Sequence, residues 1–201
     1  MTTAIREATP DDAAALAAVH VLSWRAAYSE LLPGPYLDAL DQEERAAVWR
    51  TRLAAPDRPT VLLATGAGGR VVAFSCFRAW PEEVPDEPGG AGGSGGSGGS
   101  DEPGGSDEPG ALDPATTAEL AALYALPEVW GTGVGRELLA ASTAALTAAG
   151  FRTAALWVFA GNARGRRFYE AAGWRPDGVS VRDVTGGREL EELRYRRELF
   201  A

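Results

Sequence analysis

Glu119-Leu-Ala-Ala-Leu-Tyr-Ala-Leu-Pro-Glu-Val-Trp-Gly-Thr-Gly-Val-Gly135 is the stretch that decides how this chain folds. It begins as an apolar run of strand character and stops at Pro127. It then turns through Gly131, Gly133 and Gly135 and enters Arg136-Glu137-Leu138-Leu139, which reads as helix. The order is strand, glycine loop, helix start. Successive backbone N–H groups in such a loop, with the unpaired donors of the helix's first turn, form a concave positive site suited to phosphate or pyrophosphate. An anionic ligand is therefore expected here.

Two familiar phosphate loops do not fit. A dinucleotide fingerprint needs Gly-x-Gly-x-x-Gly, whereas these glycines are each two apart; an NTPase loop needs Gly-Lys-Ser/Thr, and the chain contains no lysine. Trp130-Gly131-Thr132-Gly133-Val134-Gly135 instead resembles the acetyl-CoA loop of the GNAT superfamily of N-acetyltransferases, Gln/Arg-x-x-Gly-x-Gly/Ala, with Trp130 where the family usually has Gln or Arg.

Composition narrows the rest. At 201 residues one domain of ordinary size is expected, with enough chain to bury a core. No segment approaches the ~20 apolar residues of a membrane span, and the N-terminus lacks a basic region followed by an apolar one, so a soluble, cytoplasmic protein is expected. Cys76 is the only cysteine and His20 the only histidine; no intrachain disulfide can form, no zinc cluster is available and no metal is expected. Cys76 lies in the apolar run Ala73-Phe74-Ser75-Cys76-Phe77 and reads as a buried small side chain. The net charge of -9 is local: nine of the 28 acids fall between Glu82 and Asp113, and the other 19 balance 19 arginines. A nucleic-acid binder would need a net basic face. The exclusive use of Arg, with abundant Ala and Gly, points to a GC-rich, bacterial genome.

Along the chain, Ala4 to Glu7 reads as a strand, and Thr9-Pro10-Asp11-Asp12 as the capped start of a helix carrying Leu16, Val19, His20, Trp24 and Tyr28 on one stripe. Pro33-Gly34-Pro35 should end that helix near Leu32. Asp41-Gln42-Glu43-Glu44 caps a second helix with Val48, Trp49 and Leu53 on its apolar side. Thr60–Thr65 and Val71–Arg78, joined by Gly66-Ala-Gly-Gly69, read as an antiparallel hairpin. Residues 86–110, built of Asp-Glu-Pro-Gly and Gly-Gly-Ser units, have no apolar side chain beyond Ala and are expected to be a disordered insertion within the domain. Replacing them by a short linker should leave the melting temperature and cofactor affinity nearly unchanged; a large loss in a thermal melt would show that the segment packs. Arg136 to Ala149 is a helix closed by Gly150, and Phe151 to Phe159 a strand parallel to the one before it. Val179–Val184 and Leu190–Leu199 form a closing hairpin.

Between them, Asn162-Ala163-Arg164-Gly165-Arg166-Arg167-Phe168-Tyr169-Glu170-Ala171-Ala172-Gly173-Trp174 resembles the second GNAT signature, Asn-x-x-Ala-x-x-Phe-Tyr-x-x-x-Gly-Phe, with Gly165 and Trp174 as departures. The likeness implies an α+β GNAT acyl-CoA N-acyltransferase fold in one domain over 1–201. Its mixed, mostly antiparallel sheet would have six or seven strands, split open at the parallel pair, with about four helices. It also implies transfer of acetyl from acetyl-CoA to a primary amine of a small molecule or peptide by direct attack, in a monomer or homodimer. The rival is a catalytically silent acyl-CoA-binding or regulatory module.

By that resemblance the roles fall on particular residues. An ammonium of pKa ~10.4 must lose a proton at a cost of about 4.6 kcal/mol at pH 7, so a base helps, and Glu119 stands where some members carry a catalytic Glu. Tyr169 matches the tyrosine that protonates the coenzyme A thiolate, and a phenol of ordinary pKa would give activity an alkaline limb. Backbone groups of Leu123 and Ala125 would pair with the pantetheine arm. The loop Trp130, Gly131, Thr132, Gly133, Val134, Gly135 and Arg136 would bind the cofactor, its amides from Gly131 onward holding the pyrophosphate. Asn162 would cap its helix and reach the pantetheine. Trp24 and Tyr28 would border the acceptor pocket. His20 is read as a core or rim residue.

Overall fold

The computed structural model describes residues 3–81 and 112–199, so the 86–110 insertion lies outside the described residues. Among the described residues seven strands form one sheet in the order β1-β2-β3-β4-β5-β7-β6. They are β1 (Ala4–Glu7), β2 (Thr60–Thr65), β3 (Val71–Ala79), β4 (Thr117–Ala125), β5 (Thr153–Phe159), β6 (Arg175–Thr185) and β7 (Arg188–Glu198). Every neighbouring pair is antiparallel except β4 and β5. Five α-helices accompany them among the described residues: α1 (Ala13–Ala27), α2 (Gly34–Asp38), α3 (Gln42–Ala54), α4 (Val134–Ala148) and α5 (Ala163–Ala171).

The first helix is shorter than its stripe implied. It ends at Ala27, and Pro33-Gly34-Pro35 opens α2 as well as closing what precedes it, because proline is at home in a helix's first turn. Arg25 fixes the junction: its guanidinium donates to the carbonyls of Leu37, Asp38 and Leu40 at 2.9–3.0 Å. Asp41 caps α3 by accepting from the amides of Glu43 and Glu44. The strand expected from Phe151 begins at Thr153 instead. Gly150, at φ 90°, and Phe151 donate back to Thr147 and Leu146 in a Schellman closure of α4.

The core divides in two. One part packs Leu16, Trp49, Leu63, Phe74 and Leu138 around β1 to β3, with Trp49 edge-on to Phe74 at 5.2 Å. Cys76 is buried there, as expected of a small apolar side chain. The other packs Leu120, Leu146, Leu156, Trp174 and Tyr195 under β4, β5 and β7. A buried Ser75–Ser142 hydroxyl pair at 2.7 Å ties β3 to α4.

The β6–β7 hairpin reaches back to the start of the chain. A Cβ at Gly186, in its turn, would come 2.6 Å from the Tyr36 ring, and Arg188 donates to the Leu31 carbonyl at 2.9 Å. Beneath the hairpin, Arg194 on β7 meets Asp177 on β6 at 2.7 Å, with side chains 7% and 5% exposed. Its guanidinium lies 6.0 Å from the ring centres of both Trp80 and Trp157.

Candidate active site

Parallel β4 and β5 pair over only three positions, Thr117↔Thr153, Ala118↔Ala154 and Glu119↔Ala155, and then part. The cause is visible in the register with β3. Cys76 faces Ala122 and Phe77 faces Leu120, so β4 holds one extra residue, Ala121, and a bulge of this kind bends and twists its strand. Beyond the bulge a cavity of about 270 Å³ opens between the strands. Its walls are residues 120–125 of β4, the glycine loop, Trp157 to Phe159 of β5, the start of α5 and the end of α1.

The glycine loop forms the rim where α4 begins. Gly131 and Gly133 have φ of 77° and 100°, a conformation glycine adopts without strain, and Gly133 is the N-cap of α4. The amides of Trp130, Thr132 and Arg136 close turns on Pro127, Val129 and Gly133. Those of Gly131, Gly133, Val134 and Gly135 meet no acceptor among the described residues. A Cβ at Gly131 or Gly133 would meet nothing within 4 Å, so the loop borders open space.

Most residues picked from the sequence meet at this cavity. Leu123, Ala125, Trp130, Gly131, Gly133, Gly135, Arg136, Asn162, Tyr169, Trp24 and Tyr28 line it. Trp130 folds back on the loop, its indole donating to the Ala125 carbonyl at 2.8 Å, and Arg164 stacks on its ring at 3.9 Å. One acceptor of Ala125 is thus already engaged. Asn162 caps α5, its side-chain oxygen accepting from the Gly165 amide at 2.9 Å. Thr132 and Val134 do not line the cavity: the Thr132 hydroxyl donates to Val129, and Val134 is packed in the core.

Glu119 is the main departure. It sits where β4 and β5 are still paired, below the bulge, and its carboxylate accepts from Arg78 Nε at 2.7 Å. The cavity lining starts one residue later, at Leu120. The Glu119 carboxylate is thus paired with Arg78 and stands outside the cavity lining. His20 is a core residue, 1% exposed, and burial lowers its pKa to about 3, so the ring is neutral.

The phenols converge. Burial pushes Tyr169 well above the usual phenol range, with Tyr124 adding to the rise. Tyr28 is raised by burial, with Tyr124, Tyr169 and Glu192 contributing and the Asn162 side chain opposing. Trp24 and Phe159 stand edge-on to Tyr28 at 5.0 and 5.2 Å.

Among the cavity residues that the sequence reading did not pick, Tyr124, Trp157, Phe159, Arg164 and Glu192 bring aromatic faces or charge. Tyr124, Trp157 and Phe159 looked like ordinary strand apolars, and Arg164 like one of several surface arginines. Glu192 had one signal. On β7 it shares a face with Leu190, which packs against the buried cluster of Trp24, Leu32 and Leu37, so an acid stood at an inward position of the alternation.

Residues 21–174 match the profile of the Acetyltransferase (GNAT) family. An uncharacterized N-acetyltransferase of Bacillus subtilis (strain 168), YuaI, is 30% identical over 158 residues, which is 79% of this chain and 72% of that protein. Among solved structures, the PaiA N-acetyltransferase of Thermoplasma acidophilum in complex with coenzyme A superposes with a TM-score of 0.63 at 18% identity, covering 98% of this chain and 99% of that one. The putative acetyltransferase YncA of Salmonella typhimurium with acetyl-CoA gives 0.65 at 19% identity, covering 100% and 96%. With that family's profile spanning most of the chain, and a relative 30% identical over 79% of it, this protein belongs to the GNAT acetyltransferase family and is an acyltransferase.

Proposed function

We propose that the cleft between β4 and β5 seats acetyl-CoA and that a primary amine, of a small molecule or peptide, attacks the thioester directly. The observation that carries this is the row of uncommitted amides at Gly131, Gly133, Val134 and Gly135, set at the helix end where a pyrophosphate's charge is favoured. Beyond the bulge β4 has no strand partner on its β5 side, so the backbone around Leu123 is available to hold the pantetheine arm as an added strand would. Arg136 adds charge at the rim. Tyr169 lies on the cavity wall, where it can hand a proton to the departing thiolate. The same apolar surroundings that raise the phenol would raise a thiolate bound beside it, keeping the two close enough for transfer.

Calorimetry should show acetyl-CoA binding in the micromolar range and competition by free coenzyme A, since both carry the pyrophosphate. Gly133→Val should weaken both ligands together by roughly tenfold to a hundredfold, the cost of a β-branched residue at φ 100°. The mechanism is backbone strain and not crowding, because the space around that Cβ is open. Absence of binding by the wild type would overturn the reading; equal binding by the Val variant would remove the loop from it.

A further inference from the structure

Among the described residues Glu192 is the one carboxylate lining the cavity, and it is 2% exposed. Its Oε1 has no hydrogen-bond partner among the described residues. A buried carboxylate oxygen left unsatisfied is costly, and such an atom in a binding cleft points to a ligand that completes it. The surroundings say which kind. From α1 come Trp24 and Tyr28, from β4 Tyr124, and from β5 Trp157 and Phe159, so this wall offers aromatic faces and a single acid. Aromatic walls around one carboxylate suit an ammonium carried on an apolar body.

Resting on the acetyl-CoA reading above, we propose that Glu192 is the catalytic base and that the wall around it is the acceptor subsite for an apolar, arylalkyl primary amine. Glu192 takes one proton from the ammonium. The freed nitrogen lone pair attacks the thioester carbonyl carbon, forming C–N, and collapse of the tetrahedral adduct breaks C–S. The thiolate takes the Tyr169 proton, the phenolate regains one from the still-protonated amide nitrogen, and Glu192 releases its own to solvent. Amide, thiol and one proton leave.

The groups facing Glu192 are consistent with that role. Asp183 on β6 repels its charge, and Tyr28 and Tyr124 are neutral phenols; Trp157 and Phe159 bring no charge, and Arg194, two residues along β7, is held by Asp177. Burial first, and Asp183 second, raise the carboxyl to about 7, close to the pH at which a base is most useful.

The test compares the full-length wild type with Glu192→Gln, using phenethylamine as the probe amine. Calorimetric acetyl-CoA affinity should be the same in both, which also shows that the variant is folded. Thiol release at pH 8 should fall by about 10²-fold, and the acid limb of kcat/KM near pH 7 should vanish. A carboxyl whose folded pKa is raised costs stability as pH rises through its unfolded and then its folded value. Glu192→Gln should therefore melt higher than wild type at pH 8.5 and level with it at pH 4. Equal turnover with an unchanged acid limb overturns the assignment. So does a wild type that binds acetyl-CoA and leaves phenethylamine unacetylated, whereas one that binds no acetyl-CoA fails at the cofactor reading itself.

Discussion

Tyr169→Phe should lower turnover about 10²-fold while acetyl-CoA affinity and melting temperature stay near wild type. The ring keeps its packing against Phe168 at 5.2 Å and Trp174 at 6.1 Å. The hydroxyl has no hydrogen-bond partner among the described residues, so its removal strands no buried donor or acceptor, an event that would otherwise cost roughly 1–3 kcal/mol. Loss of a positioned acid, by contrast, costs roughly 10² to 10⁴ in rate. The pH profile expected of an ordinary phenol is corrected by the burial of this one. With its pKa raised well beyond ~10, Tyr169 remains protonated through the working range, and wild-type activity should show no alkaline limb from it. Unchanged turnover at saturating acetyl-CoA would leave water as the proton source.

The largest effect on stability is expected at the buried ion pair under the hairpin. Asp177 uses both oxygens, accepting from Arg194 Nε at 2.7 Å and from the Val179 amide at 3.1 Å. Asp177→Asn removes the charge facing this guanidinium and should cost about 1.5–3 kcal/mol, the worth of a hydrogen bond to a charged group, on the order of 5 °C in melting temperature for a chain this long. A pair of this kind is weak evidence of net stabilisation, so the joint change Asp177→Leu with Arg194→Met should recover most of the loss. A melt of Asp177→Asn within about 1 kcal/mol of wild type would show that the charge is compensated elsewhere.

Local signals carried the fold far. The glycine spacing after an apolar run, the Asp41 cap and the Gly150 stop each act over a few residues, and each is found in place. What stayed hidden depends on contacts between distant segments. Nothing near Ala27 tells that Arg25 will collect three carbonyls from residues 12 to 15 positions onward and so fix a separate α2. Similarly, Glu119 and Leu123 look alike in position on one strand until Ala121 is known to be the extra residue in its register with β3. That bulge marks where the pairing with β5 ends, leaving Glu119 with Arg78 and Leu123 at the opening. Glu192 was illegible for the same reason, since its wall is completed by α1, β4 and β5, none of them its sequence neighbours.

The grip of the C-terminal hairpin on Leu31 and Tyr36 gives the protein a schedule of assembly. Arg188 is 157 residues from the carbonyl it binds, and pairings across such separations form late, after their loop-closure entropy has been met. During synthesis, at about 5–20 residues per second, α1 and α2 emerge many seconds before β7 exists to cover them. Throughout that interval Trp24, Tyr28 and Tyr36 wait without the strand that finishes their enclosure. The chain therefore completes the cavity between β4 and β5 among its last folding events, and until then its aromatic wall stays uncovered.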